Sequence, residues 1–347
     1  MNRKRLFLID AYALIFRGYY AFIKNPRINS KGLDTSAILG FTNSLFDVIK
    51  RENPDYLAVC FDKGGSQDRL EIFSEYKANR DETPEAIKIA VPFIEQILKA
   101  LNIPVVVKKG YEADDIIGTL SKKAEQEGYQ TFMVTPDKDF AQLVTENIFM
   151  YKPMFGGGYE VWGVEEVKNK FEVTDPIQVI DFLGMKGDSA DNIPGLPGVG
   201  DKTAKKFIAE YGSMEKLLAN TDELKGKLKE KIETNKELGL LSKKLATIIL
   251  DVPVDFSPNE FKFKVTDLLE VKDVFRELEF RRLIESVDRI FNINKDDEEL
   301  EVKSESTIQT PVKNAGSGQF TLFDETNTFE KPKIFKRNNL SNSSNYY

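Results

Sequence analysis

Short apolar runs that end in acidic residues, separated by stretches of helical periodicity, constrain this chain more than any other feature. RLFLID closes on Asp10, YLAVCFD on Asp62, and TFMVTPDKD on Asp137 and Asp139. Residues 5–9, 56–61, 104–107, 131–135 and 147–151 read as short apolar strands, mostly buried on both faces. Between them, Ser36 to Lys50, Ala86 to Leu101 and Asp114 to Glu127 place apolar residues at helical spacing. Strands alternating with helices predict an α/β core, a mainly parallel twisted sheet flanked by helices. Ligands of such sheets sit outside the carboxyl ends of the strands, so the acids are expected to converge there. GYEADD adds Glu112, Asp114 and Asp115, and GDSADN adds Asp188 and Asp191.

Composition narrows the chemistry. The chain of 347 residues contains no histidine and one cysteine. Imidazole bases, His-ligated zinc and Ser-His-Asp triads are therefore excluded. Cys60 lies in an apolar run and has no partner for an intrachain disulfide, which fits a buried, inert thiol in a reducing cytoplasm. Asp10 and Arg17 interrupt the apolar N-terminal stretch, so a secretory signal is not expected. No apolar run approaches membrane-spanning length, and no membrane partner is expected. The net charge of -7 argues against nucleic acid only if the acids are uncompensated, and clustered acids holding cations account for part of it.

After Tyr151 a Gly-rich stretch, GGGYEVWG, reads as a turn, and from Val164 onward the pattern is helical. Asp175-Pro176 suits an N-cap and first turn for a helix through Leu183. GLPGVG interrupts at 195–200, and helices resume from Lys202 to about Phe291. The expected organisation is a catalytic core over 1–170, a mainly α domain over 171–291, and a polar linker over 292–347. The end of the chain at Tyr347 without a further domain suggests the N-terminal portion of something longer.

Each acid has a plainer reading as a helix cap or turn former. Capping alone does not explain why nearly all of them fall at equivalent ends of one sheet. Glu112 and Asp115 share a helix face, as do Asp188 and Asp191. An all-oxygen donor set suits Mg²⁺ or Mn²⁺, and two such ions would clamp an in-line attack on a phosphodiester.

The segment GLPGVGDKTAKKF predicts two helices joined by a Gly-rich hairpin whose backbone N–H groups approach phosphate. Gly195, Gly198, Val199, Gly200 and Thr203 form the hairpin side of that site, with Lys202, Lys205 and Lys206 reaching adjacent phosphates. A Gly-rich turn with a solvated basic face is the plainer alternative. In YKANRDETP, Tyr76, Lys77 and Arg80 share a face if the segment is helical, and Lys77 and Arg80 would meet a scissile phosphate. A solvated helix with salt bridges is the plainer reading of that segment, and Arg17, one or two turns beyond Asp10, has the same two readings. Seven lysines against three glutamates between Lys225 and Lys244 read either as ordinary exposed helix charge or as an extension of a non-specific DNA track.

Taken in order, LIDAYALIFRGYYAF, VCFDKGGSQDR, EYKANRDETP, GYEADDIIGTL, VTPDKDFAQLV and FLGMKGDSADNIPGLPGVGDKTA resemble the 5′-nuclease family. More narrowly, they resemble the N-terminal 5′→3′ exonuclease domain of bacterial DNA polymerase I, from about residue 4 to residue 291. The resemblance implies a PIN-like core, a helical arch at about 70–100 and a helix-hairpin-helix domain. It also implies a metal-dependent enzyme that cuts 5′ flaps, nicked or branched DNA and RNA primers during replication and repair. By position, Asp10, Asp62, Glu112 and Asp114 match a first metal group, with Asp115 at the same site. Asp137, Asp139, Asp188 and Asp191 match a second. Lys77 and Arg80 match basic residues of the arch, and Tyr76 an aromatic that stacks on a displaced base. The 195–200 hairpin matches one that grips duplex DNA, with K⁺ held by backbone carbonyls.

Pro136 stands where many relatives have Gly, and Ala190 where Ser is common; neither removes a ligand. Proofreading-like and polymerase domains are absent from the chain, so DNA synthesis is not expected of it. Gln319, Leu322 and Phe323 resemble the short peptides that dock on bacterial sliding clamps, although an incidental apolar spot fits the same residues. The protein is expected to act as a monomer in the bacterial cytoplasm, associated with the nucleoid. A PIN-type ribonuclease and a non-catalytic DNA-binding module are the alternatives; the hairpin segment speaks against the first and the intact acid set against the second.

Overall fold

The strand Arg5–Asp10 (β1) lies within the sheet, and its inner residues are fully buried because both faces are covered. Leu6 and Leu8 enter one apolar core and Phe7 and Ile9 the other, as the two-residue period of a strand requires. The computed structural model describes residues 3–154, 157–265 and 267–291, all within one compact unit. The polar linker and the expected clamp-docking residues Gln319, Leu322 and Phe323 lie outside the described residues.

The other strands are Tyr56–Phe61 (β2), Val105–Val107 (β3), Gln130–Val134 (β4), Ile148–Pro153 (β5) and Tyr159–Trp162 (β6). Their order is β3-β2-β1-β4-β5-β6, parallel throughout except for the antiparallel β5–β6 pair. Register places Asp10 beside Cys60 and Ile9 beside Val134, so β1, β2 and β4 end at nearly one level. The chain first builds outward from β1 to β2 and β3, then crosses back to β4. The crevice for a ligand opens at such a reversal.

Helices Ala11–Phe22 (α1) and Ser36–Glu52 (α2) cover the Phe7/Ile9 face. They meet at Gly18 and Gly40, where a Cβ on Gly40 would come within 2.3 Å of the Gly18 Cα. Only glycine permits this approach, and it holds α1 flat against α2 at the helix that follows Asp10. After the short helix Gln67–Ile72 (α3), Glu85–Ala100 (α4) completes that layer. Ala113–Gln126 (α5) covers the opposite face.

That second core continues into the helical part of the chain, which comprises Val164–Phe171 (α6), Val179–Lys186 (α7), Asp201–Tyr211 (α8), Met214–Ala219 (α9), Gly226–Thr234 (α10) and Lys236–Ala246 (α11). Pro258–Phe261 (α12) follows, then Leu269–Glu277 (α13) and Arg281–Phe291 (α14).

The helices after residue 170 share a continuous apolar core with the sheet, and α13 and α14 return to the Phe7/Ile9 face through Val271, Phe275, Leu283 and Val287. The structure corrects two expectations. Residues 159–162, read as part of a Gly-rich turn, form β6; Gly157 and Gly158, at φ +107° and +81°, reverse the chain ahead of it. Finally, 73–80 is a series of turns rather than a helix, held by Tyr76 N–H to Phe73, Ala78 N–H to Glu75 and Arg80 N–H to Lys77. Among the described residues no helix is long and apolar enough to cross a membrane.

Candidate metal centre and nucleic-acid hairpin

Each acid is placed by the end of an element. Asp10 caps α1: one carboxylate oxygen accepts the Ala13 N–H at 3.1 Å, the other the Thr135 hydroxyl at 3.0 Å. Asp62 follows β2 and accepts the Ala113 N–H at 2.5 Å, tying it to the start of α5. Glu112, Asp114 and Asp115 occupy that same start, with one oxygen of each within 4.8 Å of the others. Asp137, after β4, accepts the Asp139 N–H at 3.0 Å. Asp188 and Asp191 come from the α7–α8 loop, which is pinched by reciprocal backbone bonds of Asp188 with Ile193 at 2.9 and 2.8 Å. The capping reading is thus correct for Asp10 and Asp137, and it is compatible with a site because caps use only part of a carboxylate's accepting capacity.

Cations of the chain itself enter this acid set. Lys77 Nζ lies 2.7 Å from Glu112 Oε1 and 3.7 Å from Asp191. Arg80 pairs with Asp191, and its Nε points to the Ala190 carbonyl at 3.4 Å. Lys77 adopts φ +57°, a left-handed conformation costly for a residue with a Cβ, and its N–H donates to the Asp191 carbonyl at 2.9 Å. Asn79 and Asn192 add side-chain bonds to the Ser189 and Glu75 carbonyls, so the 73–80 turns are stitched to the 188–192 loop.

Arg69, which received no role from the sequence, is 3% exposed and organises the deepest part of the cluster. It grips Asp115 with two hydrogen bonds of 2.9 and 2.8 Å and reaches Glu112 at 3.0 Å. It also donates to the carbonyls of Leu245 and Thr247. Asp115 additionally accepts the Ile249 and Glu112 N–H groups. Both of its oxygens are thereby filled twice: although Asp115 lies within the Glu112–Asp114 acid group, in this structure it serves as the counter-ion of Arg69. The arginine ends the quoted stretch VCFDKGGSQDR, but between Asp68 and Glu71 on a polar helix it reads as a surface residue.

Two assignments change. Tyr76 is 5% exposed and its hydroxyl donates to Glu112 at 3.0 Å, so its ring has no face open to a displaced base here. Arg17 donates to the Met154 carbonyl at 2.7 Å, and among the described residues no ion pair links it to the acid set.

The electrostatics show what the acids lack. Burial, reinforced by Asp62, pushes the Asp10 carboxyl up to about 7. Burial and Asp137 do the same to Asp139, also to about 7. Asp114 is raised well above the usual range by burial and by Asp115, and Asp62 is raised chiefly by burial. For two acids a neighbouring cation reverses the direction. Burial would raise Glu112, yet Lys77 and Arg69 hold it below the usual range. Burial would also raise Asp188, which Lys138 and the Ala190 N–H hold down. Asp139 Oδ1 is buried and accepts no hydrogen bond, with the Lys138 ammonium 3.2 Å away as its only charged neighbour among the described ion pairs. An oxygen-only donor set that cannot ionise comfortably and leaves a buried oxygen without a hydrogen bond fits a hard divalent cation.

The hairpin between α7 and α8 is anchored by Leu196 and Val199, both buried. Gly195, at φ +68°, packs so tightly that a Cβ would meet the Gly187 nitrogen at 2.5 Å, and its N–H donates to Ser242 Oγ at 2.9 Å. Val199 N–H donates to the Leu196 carbonyl. Gly195 and Val199 are therefore structural rather than phosphate ligands. Gly198 and Gly200 face outward: a Cβ on Gly200 would meet nothing within 4 Å, and one on Gly198 only Leu228 and Lys231. Thr203 is half-buried and Lys202 exposed on α8. Lys205 is bonded to Glu172 at 3.0 Å and Lys206 is near Glu210 at 3.6 Å.

Residues 5–172 match the family described as 5'-3' exonuclease, N-terminal resolvase-like domain, and residues 174–268 match 5'-3' exonuclease, C-terminal SAM fold. The chain is 38% identical over 288 residues to the 5'-3' exonuclease of Aquifex aeolicus, covering 83% of this chain and 96% of that protein. It is 39% identical over 289 residues to DNA polymerase I of Bacillus caldotenax, covering 82% of this chain but 32% of that protein. The chain thus spans about a third of the length of that polymerase. Among solved structures, the T5 D15 protein co-crystallized with metal ions aligns with a TM-score of 0.59 at 21% identity, over 84% of this chain and 99% of that one. The catalytic core of Rad2 in complex with DNA substrate aligns with a TM-score of 0.55 at 18% identity, over 84% and 92%. These two likenesses carry the fold, while the Aquifex protein and the domain matches carry the relationship, and on that ground the chain belongs to the 5'-3' exonuclease family of nucleases.

Proposed function

We propose that this chain hydrolyses DNA phosphodiesters at 5′ ends and at the base of 5′ flaps, and removes primer RNA, using divalent ions held by its acid set. Mg²⁺ is the expected ion, with Mn²⁺ able to substitute. The observation that supports the reading is that the acids neighbour one another along one sheet edge: Asp10 interacts with Asp62 and Asp137, Asp62 and Asp114 with Glu112, and Asp139 with Asp137 and Asp188, and burial and mutual repulsion leave several of them poorly ionised. Asp191 joins them through Lys77 and Arg80. Ions bound there supply Lewis-acid chemistry: a lowered water pKa and neutralised charge on the phosphodiester.

The chain's own groups do the rest. Lys77 and Arg80, now on Glu112 and Asp191, are close enough to transfer their donors to a phosphate entering beside those acids. Thr135 and the Ala113 N–H hold Asp10 and Asp62 in fixed orientations, so the site need not reorganise as charge develops. The outward hairpin face at Gly198 and Gly200, with Lys202, suits the backbone of adjoining duplex.

Association with a DNA polymerase I, and a role in replication and repair at the bacterial nucleoid, are part of the same proposal. The Bacillus polymerase relative and the DNA-bound Rad2 core support it by analogy. The test is cleavage of a 5′-flap duplex with Mg²⁺ and with chelator, mapping the cut against the junction. Cleavage near the junction only with Mg²⁺ is expected, and Asp62→Ala and Asp139→Ala should bind the flap without cutting it. Metal-independent cleavage, or normal cutting by both variants, would refute the reading.

A further inference from the structure

Lys138 sits between Asp137 and Asp139 in the chain, yet its ammonium crosses to another element. Nζ is 2.5 Å from Asp188 Oδ2, on the α7–α8 loop, and 3.2 Å from Asp139 Oδ1. These oxygens belong to the second acid group, one from the end of β4 and one from the helical part of the chain. Asp139 Oδ1 is the buried oxygen that accepts no hydrogen bond: the ammonium is near it but outside bonding geometry. The Lys138 side chain remains 40% exposed, so it reaches the pair from the solvent side and has room to leave.

We propose that Lys138 competes with a divalent ion for Asp139 and Asp188 and thereby sets how tightly the second acid group binds metal; this rests on the metal reading above. An ammonium and a divalent ion draw on the same carboxylate oxygens, and their like charges repel at such range. Bringing in the ion therefore requires Lys138 to swing out. A partly exposed lysine is held weakly, so the competition lowers affinity without abolishing binding. Lys77 differs in being less exposed, 21% against 40%, and in sitting on a turn whose backbone N–H is bonded to the Asp191 carbonyl. The sequence conceals this role: a lysine between two aspartates reads as local charge balance, and only the fold brings Asp188 to it.

The test titrates Mn²⁺ into the full chain and reads free ion by electron paramagnetic resonance, without any cleavage step. Wild type should bind a tighter and a weaker ion. Lys138→Met should tighten the weaker one by about threefold to tenfold, while Lys138→Arg, which keeps the charge, should stay within about twofold of wild type. Lys138→Gln serves as the second neutral variant should circular dichroism show that Met perturbs the fold. Unchanged or weaker binding in the neutral variants overturns the proposal, as does equal tightening by Arg, since charge would not be the cause. Failure of wild type itself to bind Mn²⁺ would overturn the metal reading and this inference together.

Discussion

Arg69 and Asp115 face each other through two hydrogen bonds, 2.9 and 2.8 Å long, with both side chains almost entirely removed from solvent. The pair clamps the start of α5 to the last turn of α11 and the segment after it, because Arg69 also donates to Leu245 and Thr247 and Asp115 accepts from Ile249. Arg69→Ala leaves Asp115 charged and uncompensated in a buried position. It should lower unfolding free energy by about 3–5 kcal/mol in urea titration. Arg69→Lys should recover only part of that loss, since an ammonium cannot reproduce the planar fork.

Acidity gives a second expectation. Asp10 and Asp139 stand near 7 in the fold, against an ordinary carboxylate value of 3.8. A carboxyl raised in this way binds more protons folded than unfolded between the two values, so stability falls as pH rises through that window. Glu112 and Asp188 act oppositely, but their lowered values place their effect at more acidic pH. Melting temperature in chelator should therefore decline between about pH 5 and about pH 8, with Mg²⁺ restoring more at the alkaline end. A flat profile would show that these two acids are not raised.

The hairpin glycines should separate cleanly. Gly187 and Gly195 have φ of +75° and +68°, and a Cβ on either would strike backbone at 2.5 Å. Alanine at either position should cost roughly 1–3 kcal/mol or more in thermal or denaturant unfolding. Gly200→Ala meets nothing and should stay within about 0.5 kcal/mol of wild type.

Salt dependence of flap binding distinguishes the α8 lysines. Lys202 is exposed with no carboxylate bonded to it among the described ion pairs, whereas Lys205 is held by Glu172 at 3.0 Å and Asp201 at 3.5 Å. Lys202→Ala should flatten the slope of log affinity against log salt by about one unit, the signature of one lost phosphate contact. Lys205→Ala should change it less. Equal effects would mean that substrate pulls Lys205 away from its acids.

Much of the fold was legible because parallel strands announce themselves as continuous apolar runs, and five of the six strands lie where those runs fall, including the edge strand β3, whose Val105 and Val107 are exposed. The sixth, Tyr159–Trp162, escaped because the glycines that reverse the chain before it mask a short alternating strand on the sheet edge. The acids were legible too, since their positions follow from where strands end. Tyr76, Lys77 and Arg80 were placed on one helical face, but the 188–192 loop captures this segment in turns, and a loop more than a hundred residues distant leaves no mark on local periodicity.

Alone, the order of residues determined that acids would line one edge of a parallel sheet, because strand ends and crossover connections are encoded locally by apolar runs and their interruptions. Only the tertiary structure decided which acids remain available to a cation. Asp114 and Asp115 are neighbours of identical chemistry, yet Arg69 and the backbone near Ile249 consume the second and not the first. That choice depends on groups brought together from α3, α5 and the segment after α11, and on burial that makes an unpaired charge too costly to keep.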